Sequence, residues 1–199
     1  MSNVAIIPAR SGSTRIPLKN IRPFMGKPII CYSIETAVRS RLFDEIWVST
    51  DSDEIGKVAT REGARVHVRP ARLAQNEVGT QEVAGAVLQD IQAGRFEFAC
   101  VIYATAPMMR EKDLARALAA LEEKPGATFA YSIGVMPVRD AGQFYFGRTR
   151  AFIHQEPLDG PDSIKIVVPE DRVCDINTIE DWQKAEAMFC RLHNVRRTA

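Results

Sequence analysis

Residues 4–21 read VAIIPARSGSTRIPLKNI. Four apolar residues, Val4 to Ile7, run straight into Pro8, and the loop that follows carries Arg10, Arg15 and Lys19. Gly12, Ser13 and Thr14 lie between those cations. A short apolar run closed by proline is the pattern of a strand buried on both faces. Such a strand, emptying into a cationic loop with glycine, points to an anion at its carboxyl end. Small residues let backbone N–H groups approach the anion, and the cations offset its charge. The loop is neither a Walker A, because GxxxxGK[ST] is absent, nor a dinucleotide GxGxxG.

Outward from this stretch, short apolar strands alternate with amphipathic helices. Strand patterns fall at 43–51 (FDEIWVSTD), 64–70 (ARVHVRP, stopped by Pro70), 96–107 and 127–135. Later strands are expected at 143–153 (QFYFGRTRAFI) and 164–169 (IKIVVP). Helices are expected at 28–41, at 52–63 with Asp51 or Ser52 as N-cap, and at 80–94 with Thr80 as cap and Gly94 at the close. Two more fall at 110–126 and at 178–193, the last capped by Thr178 with Glu180 and Asp181 near its positive end. This alternation implies βαβ units, hence a doubly wound, mostly parallel α/β sheet flanked by helices, Rossmann-like in outline. At 199 residues it is read as a single domain, 1–199. Ligands in such sheets sit beyond the carboxyl ends of the strands, so Arg10–Asn20, Ser49–Asp53, Thr105–Ala106 and Asp175–Asn177 are expected to converge.

Composition narrows the function classes. With 26 Lys and Arg against 25 Asp and Glu, the net charge of +1 argues against a chain built to coat nucleic acid or an acidic membrane. Four cysteines without a CxxC pair read as reduced, and no apolar run is long enough to span a bilayer, so a cytoplasmic location is expected. His67, His154 and His193 have no zinc-ligand spacing, and no GxSxG elbow is present. Asp175, between an apolar segment and a helix, reads equally well as a turn former or as a carboxylate for Mg²⁺. For Asp51 and Asp53, N-capping is the simpler reading.

Six stretches occur in one order: AIIPARSGSTRIPLKNI (5–21), FMGKPIICYSIETA (24–37), FDEIWVSTDSDEI (43–55), IYATAPM (102–108), DAGQFYFG (140–147) and DINTIEDWQKAEAM (175–188). In this the chain resembles the sialic-acid-type (acylneuraminate) cytidylyltransferases, most nearly their pseudaminic acid branch. The resemblance implies a nucleotide-diphospho-sugar transferase-like fold. The reaction it implies joins CTP to a nine-carbon 2-keto sugar acid, giving CMP-sugar and pyrophosphate with Mg²⁺. By the same resemblance Arg10, Arg15, Lys19 and Asp175 would be catalytic. Pro8, Ala9, Arg10, Ser13, Thr14, Lys19, Asn20, Asn76, Thr80, Thr105 and Ala106 would face the nucleotide. Tyr103, Gln143 and Phe144 would face the sugar, and Asp175 with Asn177 the metal.

Departures from the family pattern bear on activity. The phosphate-facing lysine usual beside Ser13 is Thr14 here. The family's Asp-x-Asp is Asp175-Ile176-Asn177, and Asn76 stands where an aspartate is common. The family's subunit-exchanging arm, expected between about 135 and 140, is reduced to MPVR, with Arg139 the cation left to take over part of its hold on the sugar carboxylate. A monomer or weak homodimer is therefore expected. The alternatives are a Kdo-type or other sugar-acid cytidylyltransferase, or a nucleotide-binding homologue without turnover.

Overall fold

In the computed structural model, which describes residues 2–195, Asn3–Pro8 forms the central strand β1. Its successive side chains point to opposite faces. Val4 and Ile6 enter one hydrophobic cluster, Ala5 and Ile7 another, and all four are fully buried. This is why the stretch has no polar alternation.

The chain continues through a small hairpin, β2 (Pro23–Phe24) and β3 (Lys27–Pro28), then α1 (Ile29–Ser40), β4 (Glu45–Thr50), α2 (Asp53–Arg61) and β5 (Arg65–Val68). It returns through α3 (Thr80–Asp90), β6 (Phe98–Ile102), α4 (Glu111–Glu123) and β7 (Phe129–Val135). The last elements are β8 (Val138–Arg148), α5 (Thr149–Ile153), β9 (Ile164–Val167) and α6 (Ile179–His193). Seven strands form one sheet in the order β5-β4-β1-β6-β8-β7-β9. Helices α1, α2 and α4 cover one face, α3 and α5 the other. The chain winds outward from β1 to β4 and β5, then crosses back to β6, so the loops after β1 and β6 part at a switch point.

The sheet is mostly parallel, as expected, with β8 antiparallel to both β6 and β7, because the turn at Met136–Pro137 is too short for a crossover. Other sequence expectations need correction. Residues 143–153 are not one strand. β8 ends at Arg148, and Thr149 turns the chain into α5 by bonding back to Phe96 O and Glu97 O. Helix α3 has Gly79, not Thr80, at its cap and ends at Asp90, before Gly94. Ser52 rather than Asp51 caps α2, accepting from Ile55 N. The closing helix has the expected Thr178 cap, completed reciprocally by Asp181.

A third cluster holds the site together. Ile16 of the first loop and Ile176 of the last are both fully buried, with Phe24, Ile29, Met108 and Trp182 around them. Burying each isoleucine contributes about 1.5–3 kcal/mol. The two loops that carry the candidate charges are thereby fastened to one another.

Candidate functional site

A cavity of about 170 Å³ opens at the switch point. Pro8, Arg10, Lys19 and Asn20 line it from the first loop, and Tyr103, Ala104 and Thr105 from the segment after β6. Val78, Thr80 and Val83 close it from the start of α3, and Arg69 from the end of β5. A larger concavity, about 580 Å³, lies between α2 and β5 and includes none of the first-loop cations.

The cations of the site share one property. Arg10 donates to Asn76 Oδ1 at 2.5 Å and to Ala74 O at 3.5 Å. Arg15 reaches Asn177 Oδ1 at 3.5 Å, and Lys19 Nζ donates to Ile176 O at 2.7 Å. Arg69 donates to Ser49 O at 2.7 Å and to Ser49 Oγ at 3.3 Å. Amides, peptide carbonyls and a hydroxyl hold all four, and among the described residues none forms an ion pair with a carboxylate. Their positive charge is left for a ligand.

The electrostatics agree. Desolvation lowers the Lys19 ammonium below its ordinary 10.5, Asp175 opposes this, and Arg15 and Arg10 add to it. Desolvation, with Arg10 nearby, pushes the Arg69 guanidinium down to about 10 against the pull of Asp51, which leaves it charged at neutral pH. Asp51 itself is occupied in holding the loop, accepting from Ser11 N at 2.7 Å and Ser11 Oγ at 2.8 Å. Burial raises its pKa, but the two Ser11 bonds and neighbouring charges leave it lowered overall. Asn20 fastens the same loop from inside, donating to Arg10 O at 2.9 Å.

Facing these cations is an oxygen-rich rim. Asn177 Nδ2 donates to Asp175 Oδ2 at 2.5 Å. Asp140, at the start of β8, accepts from Gly142 N at 2.8 Å and from Tyr103 Oη at 2.9 Å. Desolvation raises the Asp140 carboxyl, and the charge of Asp175 adds to the rise. Gly142 brings them near one another: its φ is +66°, and a Cβ there would lie 2.9 Å from Asp175 Cα. Among the described residues no three His, Cys, Asp or Glu side chains gather into a metal cage. A cation here would be held by one or two carboxylates, an amide oxygen and ligand phosphates, which fits Mg²⁺, a hard ion that keeps several waters.

Of the expected site residues, the cavity unites Pro8, Arg10, Lys19, Asn20, Thr80, Tyr103 and Thr105. Ser13, Thr14 and Arg15 lie outside it on the open part of the loop, and Asn76 is reached through Arg10. Ala9 and Ala106 are buried and do not line it. Two expected sugar contacts point elsewhere. Phe144 is in the core cluster of α1 and α4, and Gln143 is buried with its Nε2 on Arg172 O. Arg139 is bound to Glu170 at 2.8 Å, so it is not the free cation expected for a sugar carboxylate. Sequence reasoning missed Arg69, Asp140 and Tyr145, whose hydroxyl lies 2.8 Å from Thr80 Oγ1. The Ser49–Asp53 cluster reaches the cavity only indirectly, through Ser49 on Arg69 and Asp51 on Ser11.

The family description "cytidylyltransferase" matches residues 4–159. A pseudaminic acid cytidylyltransferase of Campylobacter jejuni is 33% identical over 224 aligned positions, covering 95% of this chain and 97% of that one. Because 224 positions exceed the 199 residues present, that relative has at least 25 residues with no counterpart here. Among solved structures, a CMP:2-keto-3-deoxy-manno-octonic acid synthetase complexed with CTP superposes with a TM-score of 0.74 at 16% identity, over 96% of this chain and 100% of that one. Rv0371C of Mycobacterium tuberculosis in complex with manganese superposes with a TM-score of 0.67 at 13% identity, over 94% and 99%.

Proposed function

We propose that this chain, which belongs to the cytidylyltransferase family, transfers CMP from CTP to a nine-carbon sialic-acid-like 2-keto sugar acid, with pseudaminic acid the favoured acceptor. The observation behind the reading is the set of four cations on neutral oxygens, beside Asp175, at the sheet's switch point. A volume of about 170 Å³ is below the roughly 300 Å³ at which pockets for drug-sized ligands begin. The cavity takes the cytosine end, and the triphosphate runs out along the open loop past Arg10, Lys19 and Arg15.

The attacking hydroxyl of the sugar forms a bond from its oxygen to the α-phosphorus. The bond from that phosphorus to the α–β bridging oxygen breaks, pyrophosphate leaves, and the hydroxyl proton passes to solvent. Arg10, Arg15 and Lys19 leave their neutral acceptors for phosphate oxygens and stabilise the charge that builds there. Asp175, with Asn177 and Asp140, would hold Mg²⁺, which would supply polarisation of the phosphates. Tyr103 borders the acceptor side. Binding aligns hydroxyl and phosphorus, so no covalent enzyme intermediate is needed.

With no more than Met136–Pro137 between β7 and β8, we place the protein as a monomer or weak dimer, to be checked by light scattering. All four cysteines are free, and no described helix is long and apolar enough to cross a membrane, which supports a cytoplasmic enzyme. The test is pyrophosphate release from CTP with Mg²⁺, using pseudaminic acid, N-acetylneuraminic acid and Kdo in parallel. Release with pseudaminic acid is expected. Release with Kdo alone would shift the acceptor to the eight-carbon acids. Protein that binds CTP yet releases nothing with any of them would be a nucleotide-binding homologue without turnover.

A further inference from the structure

A row of hydrogen bonds leads from the surface of α3 to the buried Arg69. Asp90 Oδ2 lies 2.9 Å from His67 Nε2, and His67 Nδ1 lies 3.1 Å from Ser49 Oγ. Arg69 Nε donates to that same Oγ at 3.3 Å. Ser49, His67 and Arg69 are all buried, whereas Asp90 is exposed. The types are those of a nucleophilic triad, but Ser49 is fully buried on the inner strand β4 and no substrate can reach it.

Donor chemistry gives this row a direction. A guanidinium only donates, so Ser49 Oγ accepts from Arg69. The hydroxyl's own hydrogen is then free to bond His67 Nδ1, which places the imidazole proton on Nε2, facing Asp90. Every bond runs from cation toward carboxylate, and each polarises the next. Without the imidazole the hydroxyl can rotate its hydrogen toward Arg69, leaving Ser49 O as the remaining contact.

We propose that His67 is a positioning residue for nucleotide binding: it turns the Ser49 lone pair onto Arg69 and so fixes the guanidinium in the cavity wall. Asp90 holds the imidazole in the tautomer that does this. The proposal rests on the reading above that the cavity takes the nucleotide. The backbone ladder pairs Ser49 with His67 independently of their side chains, so variants at 67 keep their register.

The experiment is calorimetric titration of CTP into the full chain. Arg69→Ala tests the underlying reading and is expected to weaken CTP about tenfold or more. His67→Leu is expected to weaken it about three- to tenfold. His67→Asn, whose Oδ1 accepts the Ser49 hydrogen, should stay within about twofold of wild type although it no longer reaches Asp90. In a Ser49→Ala protein, His67→Leu should cost nothing further, a coupling that a purely structural histidine would not produce. Should His67→Leu not fold, the pair Ser49→Ala and His67→Asn still decides, the first weakening CTP and the second sparing it. Unchanged affinity in Arg69→Ala would overturn the reading of the cavity. Weakening in Arg69→Ala together with unchanged affinity in His67→Leu, or equal losses in Leu and Asn, would overturn the role of His67 alone.

Discussion

Arg10, Arg15, Lys19 and Arg69 lean on amides, peptide carbonyls and a hydroxyl, whereas two arginines outside the cavity lining each grip a carboxylate. Arg139 holds Glu170, which also accepts from Val135 N and Met136 N, and Arg172 is buried against Asp113. The difference separates two uses of one side-chain type. A cation on a neutral oxygen can leave it for a phosphate, because the acceptor left behind is uncharged. A cation on a carboxylate would strand a charge if it left, so it serves as a brace. On the proposed reading Arg10 and Arg15 are ligands in waiting, Arg69 is held in the cavity wall by Ser49, and Arg139 and Arg172 are framework.

The framework side should yield the largest effect. Asp113→Ala leaves the Arg172 guanidinium buried without its partner and is expected to cost about 3–5 kcal/mol in urea denaturation. A loss below about 1 kcal/mol would mean that the pair is not a brace, and the contrast would fail on that side.

Next comes the ligand side. Arg10→Ala is expected to weaken CTP by about 1.5–3 kcal/mol in calorimetry, with stability within about 0.5 kcal/mol of wild type. Arg139→Ala should leave CTP affinity unchanged. Equal losses in the two variants would erase the distinction between them.

The rim can be sharpened by Asn177→Asp. The amide lies 2.5 Å from Asp175 Oδ2, so a second carboxylate there brings like charges together. In chelator the melting temperature should fall, and Mg²⁺ should restore it with an affinity tighter on the order of tenfold. Melting that ignores Mg²⁺ in both proteins would remove the cation from this rim.

The smallest effect is in pH. The lowered pKa of Lys19 means that the fold binds its proton less tightly than the unfolded chain does. The ammonium therefore costs stability below its folded value, and the cost disappears as pH rises from there toward 10.5. Binding has the opposite sign. Phosphates favour the ammonium, so CTP affinity should decline as pH rises through the same window, and Lys19→Arg should flatten the decline. A flat wild-type profile would place Lys19 away from the phosphates.

How much of this was readable from the chain depends on distance along it. The two-faced burial of Val4–Ile7, the alternating elements and the Thr178 cap are local patterns, and each was legible. The charges of the first loop were legible too, since three cations fall within ten residues. Arg69 was not, because its role comes from Ser49, twenty residues away and beside it only in the folded sheet. Phe144 shows a different limit. Strand parity assigns faces in alternation, and with 143–153 read as one strand nothing fixed which parity met the cavity. Phe144 and Phe146 face α1 and α4, so Tyr145 is the residue that comes near Thr80. Asp140 depended on the left-handed turn at Gly142, which nothing in DAGQFYFG announces by itself.

The neutral partners of the four cations have one more consequence, for heat rather than for chemistry. Positive groups crowded together on neutral partners repel, and the pinned isoleucines Ile16 and Ile176 hold the loop against that repulsion. Any polyanion that settles there removes the repulsion from the folded state and has no comparable site in the unfolded one. Resistance to unfolding should thus rise with the logarithm of CTP or pyrophosphate concentration, by about 2.7 kcal/mol at a hundred times the dissociation constant. On the proposed reading, the loop would tie the protein's persistence in a cell to the supply of CTP.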